Sequence, residues 1–277
     1  MGHYENFPVG SFLIPKNLHK HFHALYAFMR TADDFADLPH GKKEERIELL
    51  ADWRRQLDEM IGGKEAENPI FIALQNTVSE CKISYEPLYR LLEAFEFDAN
   101  GEVHFETFDD LRWYTSRSAD PVGELVLALF GYRDSERIRL SNEICSGLQL
   151  LNFIQDIKED IACNRYYYPQ EDCGIFGIEI RTEGGTIIPS DGLKSVPLAL
   201  TSLFELERVE ALIDRGAPLA ESVGGRLRYE LRAVIGAARK MIAKIRNLDG
   251  NTFLTSPKLS KWEHLSVLLQ SLVLRAD

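Results

Sequence analysis

Apolar residues recur every three to four positions along most of the chain, and the interruptions fall at proline and glycine, which is the pattern of a helical protein. It predicts a helix from Leu18 to about Asp37, closed by Pro39-His40-Gly41. A second helix, Lys43–Met60, carries Ile47, Leu50, Trp53 and Leu57 on one face and stops at Gly62-Gly63. Asn68–Cys81 and Pro87–Glu96 follow, with Pro69 and Pro87 in their first turns, and then Asp109–Arg117. Asp120-Pro121-Val122-Gly123 reads as a break before an apolar run, Glu124–Phe130. The longest element is one helix over Ser135–Ala162, which Asn164–Cys173 leaves. Leu198–Arg215, Gly225–Arg246 and Lys261–Leu274 complete the set. Tyr4–Phe12 reads as an extended lead-in. Ile178–Pro197, rich in Gly, Ser, Thr and Pro, is expected to be a loop or lid of about twenty residues, long enough to suggest a function. No alternating strand pattern of any length and no internal repeat stands out. The expected class is all-α, a single domain over residues 1–277 with helices around a central cavity.

The polar positions on two of these helices are ordered as well. Gln149, Asn152, Asp156 and Asp160 are spaced three, four and four, so they share one stripe of the central helix. Leu150, Ile154, Ile157 and Ile161 form an apolar stripe beside it. Tyr26, Arg30, Asp33 and Asp37, spaced four, three and four, make a similar stripe on the first helix. Such acidic pairs usually face water, and carboxylates one turn apart repel by a few tenths of a kcal/mol. Two such stripes, each next to aromatic and basic residues, suggest instead the walls of a cavity where Mg²⁺ ions bridge carboxylates to a diphosphate. His19, His21 and His23, spaced by two, suit no helical metal site and read as surface and core-edge imidazoles.

Composition narrows the possibilities. Hydrophobic residues at 45% are sufficient for a sizeable core, and a net charge of −11 argues against nucleic-acid binding and against electrostatic docking on anionic lipid. Cys81, Cys145, Cys163 and Cys173 form no CxxC pair and are expected to be reduced thiols of a cytoplasmic protein. Neither a signal peptide nor an apolar run long enough to span a bilayer is seen, although peripheral contact with the inner membrane face remains compatible with the chain.

These residues resemble the squalene/phytoene synthase family, a branch of the class I isoprenoid synthase fold. The resemblance rests on Asp33-Asp34-Phe35-Ala36-Asp37 with Tyr26 and Arg30 before it, and on Asp156-Ile157-Lys158-Glu159-Asp160 with Gln149 and Asn152 before it and Arg165 after. Pro169–Asp172, reading PQED, is also similar to the family. Within it, Glu5–Ser11, Arg30–Asp34 and Asn152–Asp156 look like the bacterial hopanoid-pathway branch called HpnC, the hydroxysqualene synthases. Family members that join two prenyl diphosphates usually carry arginine just before the second motif, where this chain has Gln155. That position would lack a bidentate phosphate clamp, which fits a substrate with one diphosphate.

The resemblance implies a Mg²⁺-dependent lyase that converts presqualene diphosphate, a C30 isoprenoid, to hydroxysqualene. It implies Asp33, Asp37, Asn152, Asp156 and Asp160 as metal ligands, with Asp33, Asp37, Asp156 and Asp160 essential for catalysis. Tyr26, Arg30, Gln149, Gln155, Arg165 and Phe7 are the implied substrate-binding residues. Tyr114, matching the tyrosine of the family's middle motif, is the implied cation-stabilising group. Phe7, Phe28 and Phe153 are further aromatic candidates. Water rather than hydride is expected to quench the cation, so no nicotinamide cofactor is expected. Contact with a membrane would be transient, for a lipid substrate and product. Two alternatives stand beside this reading. One is a head-to-head prenyl transferase that makes presqualene diphosphate, squalene or phytoene from two prenyl diphosphates. The other is a non-catalytic helical assembly factor, against which the intact acid set speaks.

Overall fold

The computed structural model describes residues 14–38, 41–101, 103–183, 186–189 and 196–273. Among these residues the helices are α1 (His19–Ala36), α2 (Lys43–Ile61), α3 (Pro69–Cys81), α4 (Glu86–Ala99), α5 (Phe108–Ser118), α6 (Asp120–Leu129), α7 (Ser135–Gln155), α8 (Ile157–Ala162), α9 (Gln170–Ile175), α10 (Val196–Gly216), α11 (Leu219–Ser222), α12 (Gly225–Asn247) and α13 (Lys261–Val273). The all-α expectation holds, and most boundaries fall within a few residues of the periodic runs.

Three local expectations are corrected. The central helix is not continuous: it ends at Gln155, and Asp156, with φ −105° and ψ 15°, separates α7 from α8. Pro121 does not break the chain, because it occupies the first turn of α6, where its missing N–H has no helical acceptor. Within Ile178–Pro197, β1 (Ile180–Glu183) and β2 (Thr186–Pro189) pair antiparallel, with Ile180 opposite Pro189 and Glu183 opposite Thr186.

The chain divides into two compact units, Met1–Gly101 with Arg117–Ile138 and Glu102–Ser116 with Arg139–Asp277. In the first, α1 packs against α2, α3 and α4, and α4 also packs against α6. Its core is an aromatic knot. The Phe28 ring lies 5.9 Å from Trp53 and 5.8 Å from Phe71, and Trp53 is 4.7 Å from Phe71. Phe28 has no exposed surface and serves the core rather than a substrate wall. His21 is buried and bonded to Thr77 Oγ1 at 3.0 Å, His19 Nε2 meets the Ile14 carbonyl at 3.0 Å, and His23 is exposed. Burial holds the His21 imidazole below its ordinary pKa.

In the second unit α12 packs against α10, α11 and α13. Helices α7 and α10 meet through glycines: a Cβ on Gly216 would stand 2.8 Å from the Leu140 carbonyl oxygen, and one on Gly147 3.0 Å from Ile213. A buried ionic cluster ties α9 to α10. Arg208 donates to both oxygens of Asp172 (2.5 and 2.9 Å) and to Glu205 (3.0 Å), with its guanidinium 4.0 Å from the Phe108 ring centroid. Asp172 and Glu205 are each 2% exposed, and one arginine cannot neutralise both. Burial, and a hydrogen bond to Asp172, push the Glu205 carboxyl up to about 8.

Unfolded, Glu205 titrates in the ordinary glutamate range, so folding takes up a proton between that range and pH 8. Stability is therefore greatest on the acid side of this window and falls as pH rises through it. Glu205→Gln removes the titrating group and is expected to flatten the dependence of Tm on pH between about 5 and 9. A variant whose Tm declines as steeply as the wild type's would refute the assignment.

Candidate active site

The first acidic stripe lies on α1. Tyr26, Arg30, Asp33 and Asp37 are each half-buried, beside the buried row of Phe22, Leu25, Ala32 and Ala36. The stripe thus runs along the edge of the core, as the spacing predicts. Arg30 bonds to Asp33 at 3.2 Å and to Asp34 at 2.6 Å. Partial burial acts against the Arg30 charge, but the Asp34 bond and the two aspartates outweigh it and raise its pKa.

The second stripe lies at the end of α7 and on α8. Gln149 and Asn152 are half-buried, Asp156 is exposed and Asp160 is half-buried. Backbone bonds carry the register across the break: the Asp156 N–H meets the Asn152 carbonyl at 2.8 Å, and the Asp160 N–H meets the Asp156 carbonyl at 2.9 Å. The stripe therefore survives although the helix does not. Asp160 is half-buried, and that burial is the largest cause of its raised pKa. With the Asp156 charge added, and Arg165 pulling the other way, its carboxyl is pushed up to about 7. Two acids in this position call for a cation.

Arg165 is held by backbone pairing. It bridges in parallel to Val103, its N–H reaches the Asp160 carbonyl at 2.9 Å, and the Tyr166 N–H reaches the Val103 carbonyl at 2.8 Å. The same pairing brings in aromatic residues that helical periodicity does not reveal. Phe153 and Tyr167 stack face to face, with centroids 3.6 Å apart and planes 2° apart. Tyr114 lies 6.3 Å from Phe153 and 6.0 Å from Tyr167, and Phe105 lies 5.4 Å from Tyr114. All four rings are buried. Tyr114 and Phe153 were expected; Phe105 and Tyr167 were not. The tyrosine run Tyr166–Tyr168 just after Arg165 was the available signal.

Gln155 points to a different neighbour. Its side-chain amide donates to the Pro257 carbonyl at 3.3 Å, and Ser256 Oγ donates to the Gln155 carbonyl at 3.3 Å. The end of α7 is thereby tied to the segment that leads into α13. Phe7 lies outside the described residues.

Asp33 and Asp37 on the first stripe, and Asn152, Asp156 and Asp160 on the second, each carry hard oxygen donors of the kind that suits Mg²⁺. Among the described residues no group of three or more His, Cys, Asp or Glu is gathered at metal-binding distance, so neither stripe is a complete ligand set.

Comparison with known proteins gives a consistent result. The family model described as squalene/phytoene synthase matches residues 1–263. The hydroxysqualene synthase of Rhodopseudomonas palustris is 30% identical over 88% of this chain and 80% of its own length. The presqualene diphosphate synthase of Zymomonas mobilis is 29% identical over 64% of this chain and 60% of its own. The crystal structure of squalene synthase HpnC from Alicyclobacillus acidocaldarius superposes with a TM-score of 0.78 at 36% identity, covering 89% of this chain and 90% of that one.

Proposed function

The chain belongs to the squalene/phytoene synthase family, and from that premise we propose that it ionises presqualene diphosphate and delivers hydroxysqualene. The observation that carries this reading is the meeting of two environments at one place. Asn152, Asp156 and Asp160 carry a polar edge suited to a diphosphate, and Phe153, next to Asn152, opens the buried cluster of Tyr114, Tyr167 and Phe105. A long hydrocarbon diphosphate needs both ends.

In this proposal residues 1–277 work as one synthase domain. Asp33 and Asp37, together with Asn152, Asp156 and Asp160, would hold Mg²⁺. When bound, the metal supplies positive charge to the departing diphosphate. Arg30 and Arg165 hold non-bridging phosphate oxygens, their donors suited to bidentate contact. Tyr26 and Gln149 hydrogen-bond at the same polar end. The aromatic faces stabilise positive charge left on the hydrocarbon, and their burial excludes bulk water from it. After the carbocation rearranges, one admitted water adds to it and gives up a proton to leave the alcohol, with no nicotinamide required. Gln155 in place of an arginine suits a single diphosphate.

Incubation with presqualene diphosphate and Mg²⁺, without NADPH, should yield hydroxysqualene by mass spectrometry. The runner-up, a head-to-head prenyl transferase, draws on the similarity to a presqualene diphosphate synthase. Farnesyl diphosphate alone distinguishes them: the lyase leaves it unchanged, and its conversion to a C30 diphosphate would replace the first reading with the second.

A further inference from the structure

Helix α13 is amphipathic in the reverse sense. Its protein-facing side is largely polar: Lys240 bonds Ser266 at 2.9 Å, Lys244 bonds Glu263 at 2.8 Å, and Arg232 reaches the Ser271 carbonyl at 3.5 Å, with Val267 and Ser271 buried beside them. Trp262, Leu265, Leu269 and Leu272 are 80%, 45%, 56% and 52% exposed. At 100° per residue these four fall within an arc of about 80°, opposite Val267 and Ser271. A soluble helix normally buries such a stripe, and a contiguous outward one marks a partner. Leu254, in the segment before the helix, is also exposed at 58%.

The surrounding charge identifies the partner. The chain carries −11 overall, but residues 225–277 contain ten Lys and Arg against four Asp and Glu. Arg239 and Arg246 are engaged by Asp214 and Glu210 of α10, whereas Lys258 and Lys261 stand exposed at the start of the stripe. Lys261 falls within about 20° of Leu272 around the helix. A second copy of the chain seated on this face would offer these lysines no counter-charge, because the only acid of α13, Glu263, is held by Lys244 on the protein-facing side. An apolar row that starts with an exposed tryptophan and is flanked by lysines matches instead the interface of an anionic bilayer, into which such helices sink their apolar face.

We propose that α13 is a peripheral membrane-docking helix, in which Trp262, Leu265, Leu269 and Leu272 enter the acyl boundary and Lys258 and Lys261 meet anionic lipid headgroups. The uneven distribution of charge overrides the exclusion of anionic lipid that net charge alone suggests. The inference stands whichever reaction the site performs.

Flotation of the full chain with phosphatidylcholine vesicles containing about one-third phosphatidylglycerol tests it. Binding is expected to these vesicles, to weaken about tenfold with pure phosphatidylcholine or at high salt, and to fall about tenfold in Leu265→Ser/Leu269→Ser. Lys258→Glu/Lys261→Glu, which changes only exposed side chains, should lose the preference for the anionic vesicles. No binding to the anionic vesicles, or binding by both double variants equal to that of the wild type, overturns the proposal. So does a dimeric wild type that Leu265→Ser/Leu269→Ser converts to a monomer with vesicle binding unchanged, because the face would then belong to a second copy.

Discussion

Asp156→Ala and, separately, Asp33→Ala are expected to lower turnover of presqualene diphosphate by about 10²–10³-fold or more, with the helical circular dichroism unchanged. The fold should tolerate both changes. Asp156 is exposed and, although it stands at the head of α8, its side chain caps no N–H there. Asp33 is half-buried and paired with Arg30 at 3.2 Å, and a pair so open to solvent contributes about 0–1 kcal/mol. The large effect must therefore lie in the chemistry. If both acids serve one metal–diphosphate cluster, the double variant should be scarcely worse than either single one, because a broken unit cannot be broken twice. A thermal shift separates binding from turnover. Mg²⁺ with pyrophosphate at about a hundred times its Kd should stabilise the wild type by about 2.7 kcal/mol, and each single variant far less. Normal turnover in either variant, or fully multiplicative losses in the double, would remove the shared cluster from the account.

What was legible in the sequence followed from local period. The end of α1 and the edge position of Tyr26, Arg30, Asp33 and Asp37 were available because four residues on one helix face need no distant partner to define them. The break at Asp156 was hidden by its own surroundings: Leu150, Ile154, Ile157 and Ile161 keep the apolar period across it, so the interruption leaves no trace in the pattern. Phe105 and Tyr167 could not be found from periodicity, since the pairing of Val103 with Arg165 aligns segments 62 residues apart in number. The Arg208 cluster escaped for a related reason. Charged residues on a helix read as solvated, and only the packing of α9 on α10 buries Asp172 and Glu205 together. Similarly, period alone cannot tell which side of α13 is out. The stripe of Trp262, Leu265, Leu269 and Leu272 reads as an ordinary core face until α12 is seen on the other side.

Gly250→Ala is expected to destabilise the protein by about 3–5 kcal/mol. Two costs combine. Gly250 has φ +77°, where an L side chain is strained by about 1 kcal/mol or more. The added Cβ would also collide with the Ala199 carbonyl oxygen of α10 and stand 2.8 Å from Leu203 Cγ. A backbone carbonyl inside a helix cannot step aside as a side-chain tip can, so α10 and the end of α12 must separate. Gly63 provides the control: its φ is +84°, and nothing lies within 4 Å of the position of its Cβ. Gly63→Ala should therefore cost only the strain, about 1 kcal/mol. Urea unfolding of the two variants separates contact from strain, and equal midpoints would show that the close approach of Gly250 to α10 contributes nothing. The effect should also reach the site. Gly250 opens the segment whose Ser256 and Pro257 hold Gln155, the residue just before Asp156. A folded fraction of Gly250→Ala is thus expected to bind Mg²⁺ and pyrophosphate more weakly than Gly63→Ala at equal folded concentration, since a displaced segment would release the end of α7 that positions the second acidic stripe.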